Sequence, residues 1–266
     1  PVEELQGTDR QVAFGVCAGL ESQLACRSVL AGCNPGRVFV DDRSAPTAAF
    51  VLTAEGGCLA GDPAADRLVV GLDQLFAGTG ELRYSQVPFF VDSDAWLPVL
   101  QQLSSGGKVA CIPRRTYLCR EVTMDWRERV PPEAATGVVD AEGLAGDRFD
   151  LPPHLQRWIR SNWGTSEALL AKGFGVVSRY SDIVVSWSLC DCVWEDACEI
   201  GIHTHPEWRR QGLAAITAAA ATEHALASGC SVVGWHCNEE NVGSAKTAER
   251  VGYTLERTHK MYFVCA

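Results

Sequence analysis

The sequence contains no charge-free apolar run approaching the roughly 18 residues that a membrane helix needs, so no spanning segment is predicted. It also lacks any Cys-x-x-Cys pair, which argues against a zinc ribbon or a thiol oxidoreductase. There is no dinucleotide fingerprint. Gly106-Gly107-Lys108 lacks the upstream glycine spacing and the following Ser or Thr of a Walker loop. Positive charge is scarce: 23 Lys and Arg stand against 33 Asp and Glu, a net charge of −10. That balance argues against a nucleic-acid surface and mildly favours cationic small molecules, although it also serves plain solubility. The start, Pro1-Val2-Glu3-Glu4, is acidic and predicts no signal peptide, hence a cytoplasmic protein.

What is present fits a globular chain. Of the 266 residues, 47% are apolar and 21% charged, enough for a large core in one or two domains. The 12 cysteines are scattered from Cys17 to Cys265, which suits small buried apolar residues in a reducing compartment. Cys190 and Cys192 lie two apart in a predicted strand and are expected on one face.

Val12, Val16, Leu20, Leu24 and Leu30 are spaced for one helix over 9–33. Strands are predicted at 37–41, 47–53 and 86–91, helices at 65–76 and 94–103, and a long strand or bent hairpin at 108–122 with Pro113 at the bend. Asp125–Pro132 is polar and proline-bearing and is read as a boundary between domains 1–124 and 130–266. Beyond it come a strand at 136–140, helices at 153–163 and 166–172, and strands at 175–180, 183–192 and 198–204. A helix over 212–228, a strand over 231–237, a helix over 241–251 and strands from Tyr253 to Val264 complete the order.

The segment Cys198–Ala214 carries the most chemistry. Glu199–Thr204 has the residues of a strand, Pro206 stops it, and Leu213–Ser228 is nearly all helix formers. A helix that opens directly on a glycine turn leaves its first N–H groups and its dipole for an anion. An ordinary strand-to-helix turn with surface arginines would read the same over six residues.

Arg209-x-x-Gly212-x-Ala214 resembles the acyl-CoA pyrophosphate loop of the GNAT superfamily of N-acetyltransferases. Trp235-His236-Cys237, then Asn241 with Ser244 three positions on and Gly252-Tyr253, resembles the superfamily's next block in the expected order and distance. Phe39-Val40-Asp41 near Pro46, Trp163-Gly164-Thr165-Ser166, and Val185-Ser186 with Cys190 resemble the zwittermicin A resistance acetyltransferase-like family, a likeness over most of the chain.

The resemblance implies an α+β fold: a C-terminal GNAT domain with splayed central strands, behind an N-terminal α/β domain read as a degenerate GNAT-like repeat or an unrelated cap. It implies acetyl-CoA as co-substrate and no metal. Backbone N–H groups from Arg210, Gln211, Gly212, Leu213, Ala214 and Ala215 would hold the pyrophosphate, with Arg209 and Arg210 adding charge. Thr204 N–H would face the thioester carbonyl, and Asn241 is counted with the CoA contacts. Glu199 is the preferred base, set against a strand-edge carboxylate in water; His203 is second. His203 and His205 resemble a metal pair without a third ligand. Many relatives place a tyrosine seven residues after the asparagine, where this chain has Ala248; Ser244 is the substitute proton donor, with Tyr253 and Tyr262 as others. Trp158 and Trp163 sit on the helices that roof the acceptor in such enzymes. The implied activity is acetyl transfer to a primary amine of a small molecule, an amine-bearing antibiotic or metabolite. A protein or peptide lysine acetyltransferase and a non-catalytic acyl-CoA sensor are the alternatives. A homodimer is compatible with all three.

Overall fold

The computed structural model describes residues 2–20, 22–76, 87–103 and 108–264; Gln86, Gly106–Gly107 and Cys265 fall outside them. The chain divides into two compact units, Pro1–Arg114 with His259–Ala266, and Arg115–Thr258. The divisions fall inside two strands, β6 (Val109–Cys119) and β12 (Thr254–Val264), so each of these strands serves both units. The polar stretch at 125–132 lies within the second unit, where it carries one turn of 3-10 helix, Arg127–Arg129.

In the first unit β1 (Glu3–Leu5) leads through a helical segment ending in α1 (Leu24–Leu30) to an antiparallel meander. That meander is β2 (Arg37–Val40), β3 (Ala48–Thr53) and β4 (Gly56–Gly61). Then come α2 (Asp66–Phe76), β5 (Phe89–Val91), parallel to β4, and α3 (Leu97–Leu103). Antiparallel to β5 runs β12, with Tyr262 opposite Phe89. The single helix expected over 9–33 is instead two 3-10 segments, Gly7–Ala13 and Val16–Leu20, and the seven-residue α1. Gly7, Gly15 and Gly19 weaken an α-helix there, and the tighter turns still bury Ala13, Cys17 and Leu20. The helix expected over 94–103 likewise opens as 3-10, Asp94–Trp96, before α3.

The second unit repeats this order. It runs β7 (Ala134–Val138), then α4 (Ala141–Ala145), α5 (Pro153–Trp163) and α6 (Ser166–Lys172). The meander β8 (Gly175–Tyr180), β9 (Ile183–Trp194) and β10 (Ala197–Thr204) follows. Next are α7 (Leu213–Ala227), β11 (Val232–Asn238), parallel to β10, and α8 (Val242–Val251). Strand order in its sheet is β6-β11-β10-β9-β8-β7.

Helix α7 is apolar on nearly every side and buries Leu213, Ala215, Ile216 and Ala218–Ala221. A helix of this kind belongs inside a core rather than on a surface. Its small side chains let it lie close against β8, β9 and β10 on one side and α8 on the other. Thr217 and Thr222 satisfy their hydroxyls on the carbonyls of Leu213 and Ala218. The core around it also takes Trp187, Trp235, Ile200 and Tyr253.

Strand β9 has a bulge. Cys192 lies opposite Glu199 but Cys190 lies opposite Ile200, so Asp191 is the extra residue. The two cysteines therefore do not share a face. The Cys190 thiol bonds that of Cys198, while Cys192 Sγ approaches Glu199 Oε2 at 3.6 Å on the other side of the sheet.

Candidate active site

The parallel ladder between β10 and β11 is short. It runs Ala197↔Val232, Cys198↔Val233 and Glu199↔Gly234, and then the strands part, although β10 continues to Thr204 and β11 to Asn238. His205 N donates to Val185 O, and residues 203 and 201 stand opposite 187 and 189 in the same antiparallel register. By the two-residue alternation of an antiparallel pair, Gly201 and His203 direct their backbone groups at β9. Ile200, Ile202 and Thr204 therefore direct theirs into the open fork, which is the side needed by an extended ligand pairing as a pseudo-strand.

The fork leads to the loop before α7. Pro206–Trp208 form one 3-10 turn, and Trp208 stacks on Tyr180 with ring centroids 4.6 Å apart. Arg209 Nε donates to Thr204 O at 3.1 Å, tying the loop to the strand end. Arg210 and Gly212 both have left-handed backbones, φ 64° and 82°. For arginine this conformation is strained, and such strain clusters at ligand clamps. Gly212 caps α7 without a side-chain bond, and the first helical bond reaches back from Ile216 N to Gly212 O. The N–H groups of Leu213, Ala214 and Ala215 thus point out of the helix end beside two arginines, which suits a phosphate.

Glu199 stands at the apex of the fork. It is a buried carboxylate, 5% exposed, not a strand-edge group in water. Its Oε1 lies 2.7 Å from His236 Nε2, and His236 Nδ1 lies 3.2 Å from Thr116 Oγ1. His203, two alternations along β10, is a half-buried imidazole stacked against Trp187 at 4.7 Å and His154 at 4.3 Å. Burial lowers its pKa to about 4, with His154, Arg209 and His205 adding repulsion, so the ring is neutral at physiological pH. His205 is half-exposed beside Glu207. Among the described residues no group of three His, Cys, Asp or Glu is arranged for a metal.

Helix α5 covers the same side of the sheet. Trp158 Nε1 donates to Asp191 Oδ1 at 2.7 Å, and the Trp158 ring rests on Gly201, where any Cβ would meet it at 2.2 Å. Trp163 instead donates to Cys190 O from within the core. A cavity of about 610 Å³ lies on the opposite side of α5, lined by Gly146, Asp150, Gln156 and Arg160 among others. Gln156 and Arg160 project away from the side that carries His154 and Trp158, so this cavity does not adjoin the fork through α5.

The proton-donor candidates separate. Ser244 Oγ accepts from Trp235 Nε1 at 2.9 Å, while Asn241 caps α8 by accepting from Ser244 N at 3.1 Å. Tyr253 is buried with its hydroxyl on Thr222 at 2.8 Å, and burial raises its pKa strongly. Tyr262 lies in the first unit, bonded to Asp94 at 2.7 Å. His236, Thr116, His154 and Asp191 received no role from the sequence. No local signal marked His236: its place on the Glu199 side of β11 follows from the Glu199↔Gly234 register, which the sheet sets.

An open fork that feeds a glycine-opened helix, on a mixed sheet of this order, defines an N-acetyltransferase fold. The chain belongs to the GNAT acetyltransferase family, which it matches over residues 16–262. It is similar to a GCN5-related N-acetyltransferase-like protein from Streptococcus suis 89/1591, with TM-score 0.73 and 21% identity over 97% of this chain and 100% of that one. A GNAT-family acetyltransferase from Colwellia psychrerythraea gives TM-score 0.51 and 14% identity over the full length of both chains. A tandem GNAT protein from the clavulanic acid biosynthesis pathway gives 0.57 and 8% over 98% of each. No curated protein matches the chain in sequence. No helix among the described residues is long and apolar enough to cross a membrane.

Proposed function

We propose that this N-acetyltransferase moves an acetyl group from acetyl-CoA to a primary amine of a small molecule, with the second unit holding the donor. The observation that carries this reading is the fork between β10 and β11, open beyond Glu199↔Gly234, with β10 followed in the chain by an α7 N-terminus that has no side-chain cap. The N–H groups of Arg210–Ala215 hold the pyrophosphate, helped by the Arg209 and Arg210 side chains. The pantetheine arm pairs with the fork-facing backbone of Ile200, Ile202 and Thr204. Thr204 N–H is the sequence-derived donor to the thioester oxygen, and such a donor is worth about 3 kcal/mol in the transition state.

Glu199 removes the proton from the acceptor ammonium, directly or through one water. His203, neutral and partly open, is the second choice. The amine attacks the thioester carbon, the C–S bond breaks, and the thiolate leaves, taking a proton from Ser244 or from solvent. Asn241 supports the site through its α8 cap.

The acidic net charge and the likeness to the zwittermicin A resistance acetyltransferase-like family favour an amine-bearing antibiotic or related metabolite as acceptor. Calorimetric titration with CoA, followed by thiol release from acetyl-CoA across a panel of small amines and lysine peptides, tests the reading. Binding with release on small amines supports it. Release on peptides alone replaces the acceptor class, and no CoA binding removes the reading.

A further inference from the structure

We propose that His236 is a positioning residue for Glu199, fixing the carboxylate with one defined oxygen turned to the acceptor amine. The inference rests on the acyltransferase reading. Its observations are the chain Thr116 Oγ1–His236 Nδ1 at 3.2 Å, His236 Nε2–Glu199 Oε1 at 2.7 Å and Cys192 Sγ–Glu199 Oε2 at 3.6 Å. The His236 and Glu199 side chains are each only 7% exposed.

A buried carboxylate needs a hydrogen-bonding partner, and His236 supplies one to Oε1 at 2.7 Å. That bond occupies Oε1, while Oε2 meets the weaker Cys192 thiol donor at 3.6 Å and keeps lone-pair capacity for a proton. A carboxylate oxygen accepts, so the proposal requires the ring proton on Nε2, and Nδ1 then accepts from the Thr116 hydroxyl at 3.2 Å. The arrangement has the form of a base oriented by a third group.

The placement is specific. Glu199↔Gly234 is the last rung of the β10–β11 ladder, and His236 lies one alternation further along β11 on the same side of the sheet. Gly234 leaves room for the glutamate stem, since a Cβ there would stand 2.8 Å from Glu199 Cγ. The pair thus sits where the two strands part.

The proton account is simple. One ammonium N–H bond breaks and an O–H bond forms at Glu199 Oε2, while Oε1 stays bonded to His236. The freed lone pair attacks the thioester carbon and the C–S electron pair leaves on sulfur. Of the two protons lost by nitrogen, one reaches the thiolate and the other goes to solvent.

The test uses the full chain and two readouts. Nitrogen-detected NMR of ring-labelled histidine, with His236 assigned by its loss in His236→Gln, reads the tautomer without any acceptor. The expected signal is an Nε2–H ring that shifts toward a mixture in Thr116→Val. An Nδ1–H ring, or a free mixture in the parent, overturns the proposal. Kinetics then separate positioning from scaffolding. His236→Gln is expected to lower kcat about tenfold or more, to leave the acetyl-CoA KM within about twofold, and to move the acidic limb of the rate profile. The double variant Glu199→Gln/His236→Gln is expected to be no slower than Glu199→Gln, because the pair acts as a unit. Parental kcat and pH profile in His236→Gln, or losses that multiply in the double variant, overturn it. Should His236→Gln not fold, Thr116→Val carries the same kinetic test with an expected loss of about three- to tenfold. If the parent binds no CoA by calorimetry, the acyltransferase reading fails on its own, and the tautomer result still decides whether His236 orients Glu199.

Discussion

Asp92 Oδ2 accepts a hydrogen bond from Gly61 N at 2.8 Å, and in the first unit this closes the place where the second unit is open. There the β4–β5 ladder runs Gly57↔Phe89 to Leu59↔Val91, Asp92 N adds a bond to Leu59 O, and the Asp92 carboxylate secures the last residue of β4. The loop that follows is Gly61-Asp62-Pro63-Ala64-Ala65-Asp66. It has no arginine, and Asp62 already caps Ala64 N at 2.9 Å. The loop thus carries a carboxylate where the 209–212 loop of the second unit carries arginines.

The chain is therefore predicted to bind one CoA, not two. Titration calorimetry is expected to give a stoichiometry near one per chain, and Asp92→Ala is expected not to raise it. A stoichiometry near two would contradict the closed fork.

Gly212 has φ 82° with open space around its Cα, so a side chain there is opposed by the backbone rather than by a clash. The left-handed conformation costs a residue with Cβ about 1–2 kcal/mol. Gly212→Ala is expected to weaken CoA binding by about three- to tenfold, and Gly212→Asp, which adds a charge beside the pyrophosphate, by more than about tenfold. Both are read as Kd for CoA. An unchanged Kd in Gly212→Asp would move the phosphate site elsewhere.

Trp158 and Gly201 are in close contact, and a methyl group on Gly201 has nowhere to go until the Trp158 ring shifts. Gly201→Ala is predicted to lower stability by about 1–3 kcal/mol, as overpacking does, measured by urea unfolding. Gly201→Ala/Trp158→Phe is expected to recover part of that loss. No recovery would place the strain in the strand itself.

His203 sets a pH dependence whose sign follows from its low pKa. The folded ring titrates at about 4 and the unfolded one near 6.5, mainly because burial disfavours the cation. Between those values the unfolded state binds more protons, so stability falls as pH drops from 6.5 toward 4 and is flat above 6.5. His154 and His224 are shifted the same way and contribute in the same direction. His203→Gln is expected to flatten, not abolish, this slope in melting experiments from pH 4 to 7. An unaltered slope would show that His203 is not desolvated.

Ser244 is the acceptor for Trp235 Nε1, and Trp235 is buried. Ser244→Ala leaves that donor unpaired and is predicted to cost about 1–3 kcal/mol of stability. If the serine also protonates the thiolate, kcat falls several-fold with the acetyl-CoA KM unchanged. A parental rate in a destabilised variant would restrict Ser244 to its structural bond.

The strand, turn and helix start at 198–214 are legible in the sequence because their determinants are contiguous. Glycine at 212, the arginines before it and the helix formers after it encode a left-handed turn, a charge and a helix start within a few residues. The Asn241 cap reads the same way. The helix expected over 9–33 failed because an apolar period of about four also fits successive 3-10 turns, and the glycines at 15 and 19 decide between them. The shared face expected for Cys190 and Cys192 failed because the Asp191 bulge depends on the neighbouring strand.

By itself the sequence determined the family, the mixed α+β fold and the strand–loop–helix at 198–214. Local backbone preferences and helix-end electrostatics act over one or two turns, so they can be read from neighbouring letters. Only tertiary structure decided that Glu199 is buried against His236, 37 residues away, and that Asp92 reaches back 31 residues to close the first unit's fork. Those environments arise from which strands pair and where the pairing ends, and strand registry is set by packing across the whole sheet rather than by any one segment.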